Sequence, residues 1–221
     1  MVRWEPGARE RLQAAAMDLY LSRGFDATTA ADIARSVGLT ERTFFRHFAD
    51  KREVLFGGQE ILEQAFLAGV TAAPRHASPL ELVESALESA AELFPAERRD
   101  HSRRRHRIIS ANPALQEREL LKLAGLATAL AAALRSHGVP AATATLAAES
   151  GVTVFGVAFG TWITEGELRS LLDLEREAMA ELVAITTPRP DGTPVDQDPD
   201  QGQDRGQGQG SAVRTTSPGR R

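Results

Sequence analysis

Apolar residues recur at helical spacing along this chain, and each run is bounded by a residue that starts or stops a helix. Leu12, Ala16 and Leu19 fall at i, i+4 and i+7 between Arg9 and Arg23, and Gly24 ends that run. Ile33, Ala34 and Val37 share one face of a short segment that starts at Asp32 and stops at Gly38. The chain must turn there, and glycine reaches a positive φ without a Cβ penalty. Thr40 stands at N-cap spacing before Thr43 to Phe48, with Phe44 and Phe48 on the inward side. Asp50 is expected to open a helix through Leu62 and Phe66 to about Ala73, where Pro74 stops it. Ser78-Pro79-Leu80-Glu81 combines an N-cap serine, proline at the first position and glutamate three residues on, with Leu82, Val83, Leu87 and Leu93 following up to Pro95. Asn112-Pro113 caps a helix through Leu115, Leu120, Leu123, Leu130 and Leu134 to Gly138. Pro140 opens one to about Thr164, and Glu167 opens the last, reaching Ile185. The stretch 152–159, VTVFGVAF, also reads as a buried strand, but its Ala-rich helical neighbours favour helix. The fold expected is all-α.

Two of these short helices and the turn between them form a helix-turn-helix, whose second helix is the element that enters a DNA major groove. Ala34, four residues before Gly38, is small enough to let the two helices cross closely. Thr29 with Asp32 makes a capping box, and Asp50 with Glu53 is expected to make a second. The unit GFDATTAADIARSVGLTERTFFRHFADKREVLF, about the first quarter of the chain, closely resembles the DNA-binding domain of the TetR family of transcriptional regulators. The resemblance implies a second, helical domain that binds a small effector and forms a homodimer. The expected division is therefore a DNA-binding head over 1–50, a helical effector-binding and dimerisation body over 51–187, and a tail over 188–221. The tail is rich in Pro, Gly, Gln and Asp, with five Arg against five Asp, and is expected to be disordered.

Composition narrows the function classes. The chain has no cysteine, so no disulfide, thiolate nucleophile or cysteine–zinc cluster is available. Arg3, Trp4 and Glu5 interrupt any opening apolar run, and the apolar stretch 151–163 is short for a bilayer, so a cytoplasmic location without membrane contact is expected. The formal net charge is −4, and residues 1–56 carry nine Lys and Arg against eight Asp and Glu. Affinity for DNA must then come from a few placed charges on a dimer. No G-x-S-x-G, H-E-x-x-H, phosphate loop or dinucleotide fingerprint supports an enzyme with an appended helix-turn-helix, and no cofactor or metal is called for. His101 and His106 lie five apart, off the spacing of helical metal ligands. A DNA-binding module controlled by a protein partner is the remaining alternative.

Arg42 and Thr43 lie on the first turn of the recognition helix, where Arg can pair bidentately with guanine and Thr can touch a thymine methyl or a phosphate. Arg42 paired with Glu41 or Asp50 is the plain alternative. Thr29 and Thr40 cap their helices and leave N–H groups free for phosphate. Phe45 faces away from the core pair; the family resemblance implies a ring against the DNA backbone, where Tyr is common and Phe lacks the hydroxyl. The same resemblance implies phosphate contacts for His47 and Lys51, while Arg46 reaches either a phosphate or solvent.

Further along, RRRHRIISANPALQERELLKLAGL resembles regulators similar to the mycofactocin-associated one, which implies an apolar or amphipathic anionic effector such as an acyl-CoA. Arg103, Arg104 and Arg107 are then candidates for an anion-binding lip, against the plain reading of a solvated face paired with nearby carboxylates. Gly156 and Gly160 flatten one helix face, which with 167–185 suggests a four-helix seam between two subunits. Gly57-Gly58, read as the interior of the helix from Asp50, is a candidate hinge between head and body, against the plain reading of small residues needed for close packing on a neighbouring helix.

Overall fold

The computed structural model describes residues 7–187, and the expected disorder of 188–221 lies outside the described residues. Among the described residues the regular structure is entirely helical. Helix α1 spans Ala8–Arg23 and turns Leu12, Ala16, Met17 and Tyr20 inward. The buried stripe therefore advances by fours to Tyr20, and Leu19 is only half-buried. Helix α2, Ala30–Ser36, starts in the Thr29/Asp32 capping box, and α3, Glu41–His47, starts on the Thr40 hydroxyl. Gly38 makes the turn between them at φ 71°.

The helix expected from Asp50 to Ala73 is broken. Glu53–Leu55 is a 3-10 turn, residues 56–58 are non-helical, and α4 runs only from Gln59 to Ala72. Asp50 caps the turn by accepting from the Arg52 and Glu53 amides, at 2.7 and 3.1 Å. Glu53 does not complete the expected reciprocal box. Its carboxylate is held by Arg118 and Lys122, which lie far along the chain. Gly57 and Gly58 thus sit in the break, with Gly58 as the N-cap of α4, and not in a helix interior.

Helix α5, Pro79–Ala91, has the full Ser78/Glu81 capping box. The short α6, Arg99–Ser110, follows a 3-10 turn, and α7, Pro113–Ser136, starts on the Asn112 side chain. Helices α8, Ala141–Trp162, and α9, Leu171–Thr186, complete the body. The stretch 152–159 is helical, so the strand reading is excluded. Leu120 and Leu121 are exposed rather than core, and α7 buries Leu126, Leu130 and Leu134 instead. Helix α8 is long and apolar enough to cross a membrane by length and composition. Here Ala144, Ala148, Phe155, Ala158 and Trp162 are buried in the body core, where Phe155 meets Phe66 edge-on at 5.6 Å between ring centres.

The buried side chains form two clusters, and these do not divide at residue 50. The head cluster runs from Leu12 to Phe56 and also takes in Ile108, Ile109 and Leu115 from α6 and α7. The body cluster is built by α4, α5, α7, α8 and α9.

Candidate nucleic-acid interface

The outer face of α3 is assembled by local chemistry. The Thr40 hydroxyl accepts from the Thr43 amide at 3.2 Å and shares a 2.9 Å hydrogen bond with the Thr43 hydroxyl. This cap fixes the first turn and presents Arg42 on its exposed side. Arg42 and Arg46 make no ion pair among the described residues, and Asp50 pairs with Arg52 instead. Phe45 is 50% exposed and rests edge-on against the buried Phe44 ring. The His47 ring is half-buried, and its buried Nε2 has no hydrogen-bond partner in the protein. At the start of α2 the Thr29 amide donates to Asp32 at 3.1 Å, and the Thr29 hydroxyl accepts from the Asp32 amide at 3.1 Å. The Thr29 hydroxyl also donates to the Asp32 carboxylate, and these bonds hold that carboxyl below the usual carboxylate range.

Lys51 is placed differently from its expected role. Its Nζ donates to the carbonyls of Phe25 and Thr28, at 2.9 and 3.1 Å, and lies 4.2 Å from the centre of the Phe25 ring. The Lys51 carbonyl accepts from the Tyr20 hydroxyl at 2.6 Å. Burial, reinforced by the Asp50 charge, pushes the Tyr20 phenol well above its ordinary pKa, so it remains a donor. Together they fasten the segment after α3 to the loop between α1 and α2. Sequence reasoning missed Tyr20, although it is the chain's single tyrosine and continues the Leu12, Ala16 stripe.

The family model for bacterial regulatory proteins of the tetR family matches residues 12–56, and the model for the MftR C-terminal domain matches residues 77–187, half of the chain. This chain belongs to the TetR family. Among curated relatives, the transcriptional regulator TcmR of Streptomyces glaucescens is 37% identical over 81 residues, covering 37% of this chain and 36% of that one. The transcriptional repressor BepR of Brucella suis is 31% identical over 99 residues, covering 41% and 44%. The matches thus span less than half the length of either relative. Two solved structures share the TetR fold. FadR of Thermus thermophilus, a repressor in complex with lauroyl-CoA, has a TM-score of 0.50 at 23% identity and covers 85% of this chain and 100% of that one. SmeT, the repressor of a Stenotrophomonas maltophilia multidrug efflux pump, has a TM-score of 0.50 at 22% identity, with 81% and 90% covered. Members of the TetR family are regulators rather than enzymes. They bind DNA operators, act as dimers and respond to small molecules.

In this TetR chain the arginine run of α6 is a bracket, and its members do not converge on one cavity. Arg103 donates to the carbonyls of Ile163 and Thr164, at 2.8 and 3.3 Å, and pairs with Asp100. Arg99 donates to the Glu167 and Arg169 carbonyls and lies over the Trp162 ring. Both therefore hold the turn between α8 and α9. Arg104 pairs with Asp18 on α1. Arg105 donates to the Leu55 carbonyl at 2.7 Å and to Glu119 at 2.9 Å, with its guanidinium over Phe56. Arg107 is exposed and makes no ion pair among the described residues. Asp100 and Glu119 are carboxylates near the run that pair with it, as the plain reading expects, whereas the backbone carbonyls have no signature in the spacing.

Proposed function

We propose that this chain is a DNA-binding transcriptional repressor of TetR type, acting in the cytoplasm as a homodimer on an inverted-repeat operator and released by a small-molecule effector. One observation carries the reading. The first turn of α3 is capped by Thr40 and offers Arg42 outward with no carboxylate partner among the described residues, beside the half-exposed Phe45. Arg42 and Thr43 read bases, while the amide ends of α2 and α3, at Thr29 and Thr40, hold phosphates with His47 and Arg46. The dimer seam is the outer side of α8 with α9. Leu146 and Val157 are exposed there, and Gly156 and Gly160 have open space where a Cβ would stand.

Arg42→Ala is expected to cost about 1–3 kcal/mol per half-site and to relax preference at one base position, as measured by titration of selected and scrambled duplexes. Equal weakening on both duplexes would remove the base-reading role. Lys51→Ala is expected to act differently, lowering the melting temperature of the protein, because two of its three N–H donors are already engaged by carbonyls.

An acyl-CoA effector follows from the subgroup resemblance, and FadR carries lauroyl-CoA. The donors of Arg103 and Arg104 are turned onto the protein here, so the α6 bracket gives that effector class no support through an anion-binding lip. The break at Gly57 and Gly58 is our hinge between head and body. An alanine Cβ at 57 meets only the flexible ends of Gln13 and Arg9, and one at 58 meets nothing. Gly57→Ala with Gly58→Ala is expected to fold normally and to blunt release of DNA by effector. Undiminished release in the folded double variant would sink the hinge.

A further inference from the structure

A cavity of about 390 Å³ opens between α5 and α9, at the small end of the roughly 300–1,000 Å³ typical of small-molecule sites. Its floor is apolar, formed by Leu87, Leu172 and Met179. Its charges are unbalanced: Glu84 and Glu88 from α5 and Glu175 from α9 face it, against the single guanidinium of Arg176. Arg176 is already paired with Glu88 at 2.8 Å on the exposed rim.

Glu175 is the anomaly. It is 1% exposed, lines the cavity, and has no hydrogen-bond partner in the protein for either carboxylate oxygen. Buried polar groups are rarely left this way, because each unsatisfied group costs its lost hydration, about 1–3 kcal/mol and more when charged. Protonation removes the charge but leaves an O–H donor equally without an acceptor. A neutral ligand would answer the hydrogen bond alone, and an anion would meet the charged carboxylates of Glu84 and Glu88. A cation answers both the hydrogen bond and the charge, and the floor selects an apolar body behind it.

We propose that the α5–α9 cavity is a binding site for a hydrophobic monocation, an alkyl or aryl amine whose ammonium group bonds Glu175 and whose apolar part lies on Leu87, Leu172 and Met179. This rests on the effector-responsive reading above and names the chemical class of that effector. Glu84 and Glu88 form the outer, solvated part of the same negative field, which attracts the cation before it is desolvated. Burial, with a contribution from Glu88, pushes the Glu175 carboxyl up to about 8. The empty site is therefore protonated at neutral pH, and ammonium binding displaces that proton. The charged groups at the cavity are Glu84 and Glu88 on α5 and Arg176 on α9, while α8, the other helix packed on α9, carries Glu149 as its one ionisable side chain.

The test is calorimetric titration of the full chain, without DNA, by decylammonium, with decanol, decanoate and decanoyl-CoA as charge controls. Decylammonium is expected to bind at least tenfold more tightly than any control. At pH 7 its apparent heat is expected to vary with buffer ionisation enthalpy as a proton is released. Glu175→Gln is expected to lose the preference and the proton release together, with its fold checked by circular dichroism. Decanol binding as well as decylammonium, an undiminished ammonium preference in Glu175→Gln, or tightest binding by an anion would each overturn the site. Because no DNA is present, failure of the repressor reading leaves this result standing. A second arm adds decylammonium to the protein on a selected genomic duplex. Release of DNA supports the effector role, and Glu175-dependent binding without release overturns that role.

Discussion

Glu175→Gln is expected to leave stability near wild type at pH 5 and to raise it progressively up to pH 8. The carboxyl titrates near 4.5 when the chain is unfolded and is pushed up to about 8 in the fold, by burial first and the Glu88 charge second. Between those values the unfolded chain has lost a proton that the folded chain keeps. Stability from this group is therefore fully present at low pH and is lost as pH rises toward 8. The slope is roughly 1.4 kcal/mol per pH unit for one proton, so the wild type gives up on the order of 3 kcal/mol between pH 5 and pH 7. Glutamine has the same shape and no ionisation, so it lacks that slope. Denaturant unfolding of both proteins at pH 5, 6, 7 and 8 checks this. Parallel pH profiles would show that Glu175 is not held protonated by its surroundings.

The second large effect is steric. Gly69 lies where α4 crosses α5, and a Cβ there would overlap the Ser85 carbonyl oxygen and stand 2.6 Å from Ala86 Cα. Both are backbone atoms, so no side chain can swing aside and the helices themselves must part. Gly69→Ala is expected to cost about 3 kcal/mol, the upper end of ordinary overpacking, despite the better helix propensity of alanine. Gly125→Ala in α7 is the matched control, since nothing stands within 4 Å of its Cβ position. That variant is expected to be neutral or to gain about 0.5–1 kcal/mol. A Gly69→Ala protein melting with wild type would mean that α4 and α5 have slack at their crossing.

What the sequence disclosed was local. The caps at Thr29, Thr40, Ser78 and Asn112 involve a side chain and an amide two or three residues away, so their spacing is visible in one dimension. Phe44 on α3 and Phe48 at its C-cap, one turn apart, were legible as head core for the same reason, as was Ile33 beside Ala34 on α2. The Asp50/Glu53 box failed because a distant competitor decides it: Arg118 and Lys122 on α7 claim the Glu53 carboxylate. The break before α4 was hidden likewise, because the apolar period continues through it while Arg105 takes up the Leu55 carbonyl. Lys51 drew its phosphate role from the family resemblance, and the α6 arginines were candidates for an anion-binding lip against a solvated, carboxylate-paired face. Their partners are mainly carbonyls, which have no sequence signature. Glu175 was invisible because its neighbours Arg176 and Glu177 make it look like part of a solvated face.

The contribution of Ile108, Ile109 and Leu115 to the head cluster bears on how such a protein can be recombined. A fragment ending near Phe56 would retain its recognition helix yet expose the apolar floor those three residues cover. Arg104 and Arg105 would also be gone, leaving Asp18 without its ion pair and the Leu55 carbonyl without its donor. The head is thus not a cassette. A chimaera that grafts residues 1–56 onto a foreign body inherits an operator preference but not a complete hydrophobic core. The smallest unit that can be transplanted whole is discontinuous in sequence, because α6 and the first turn of α7 must travel with the recognition helix.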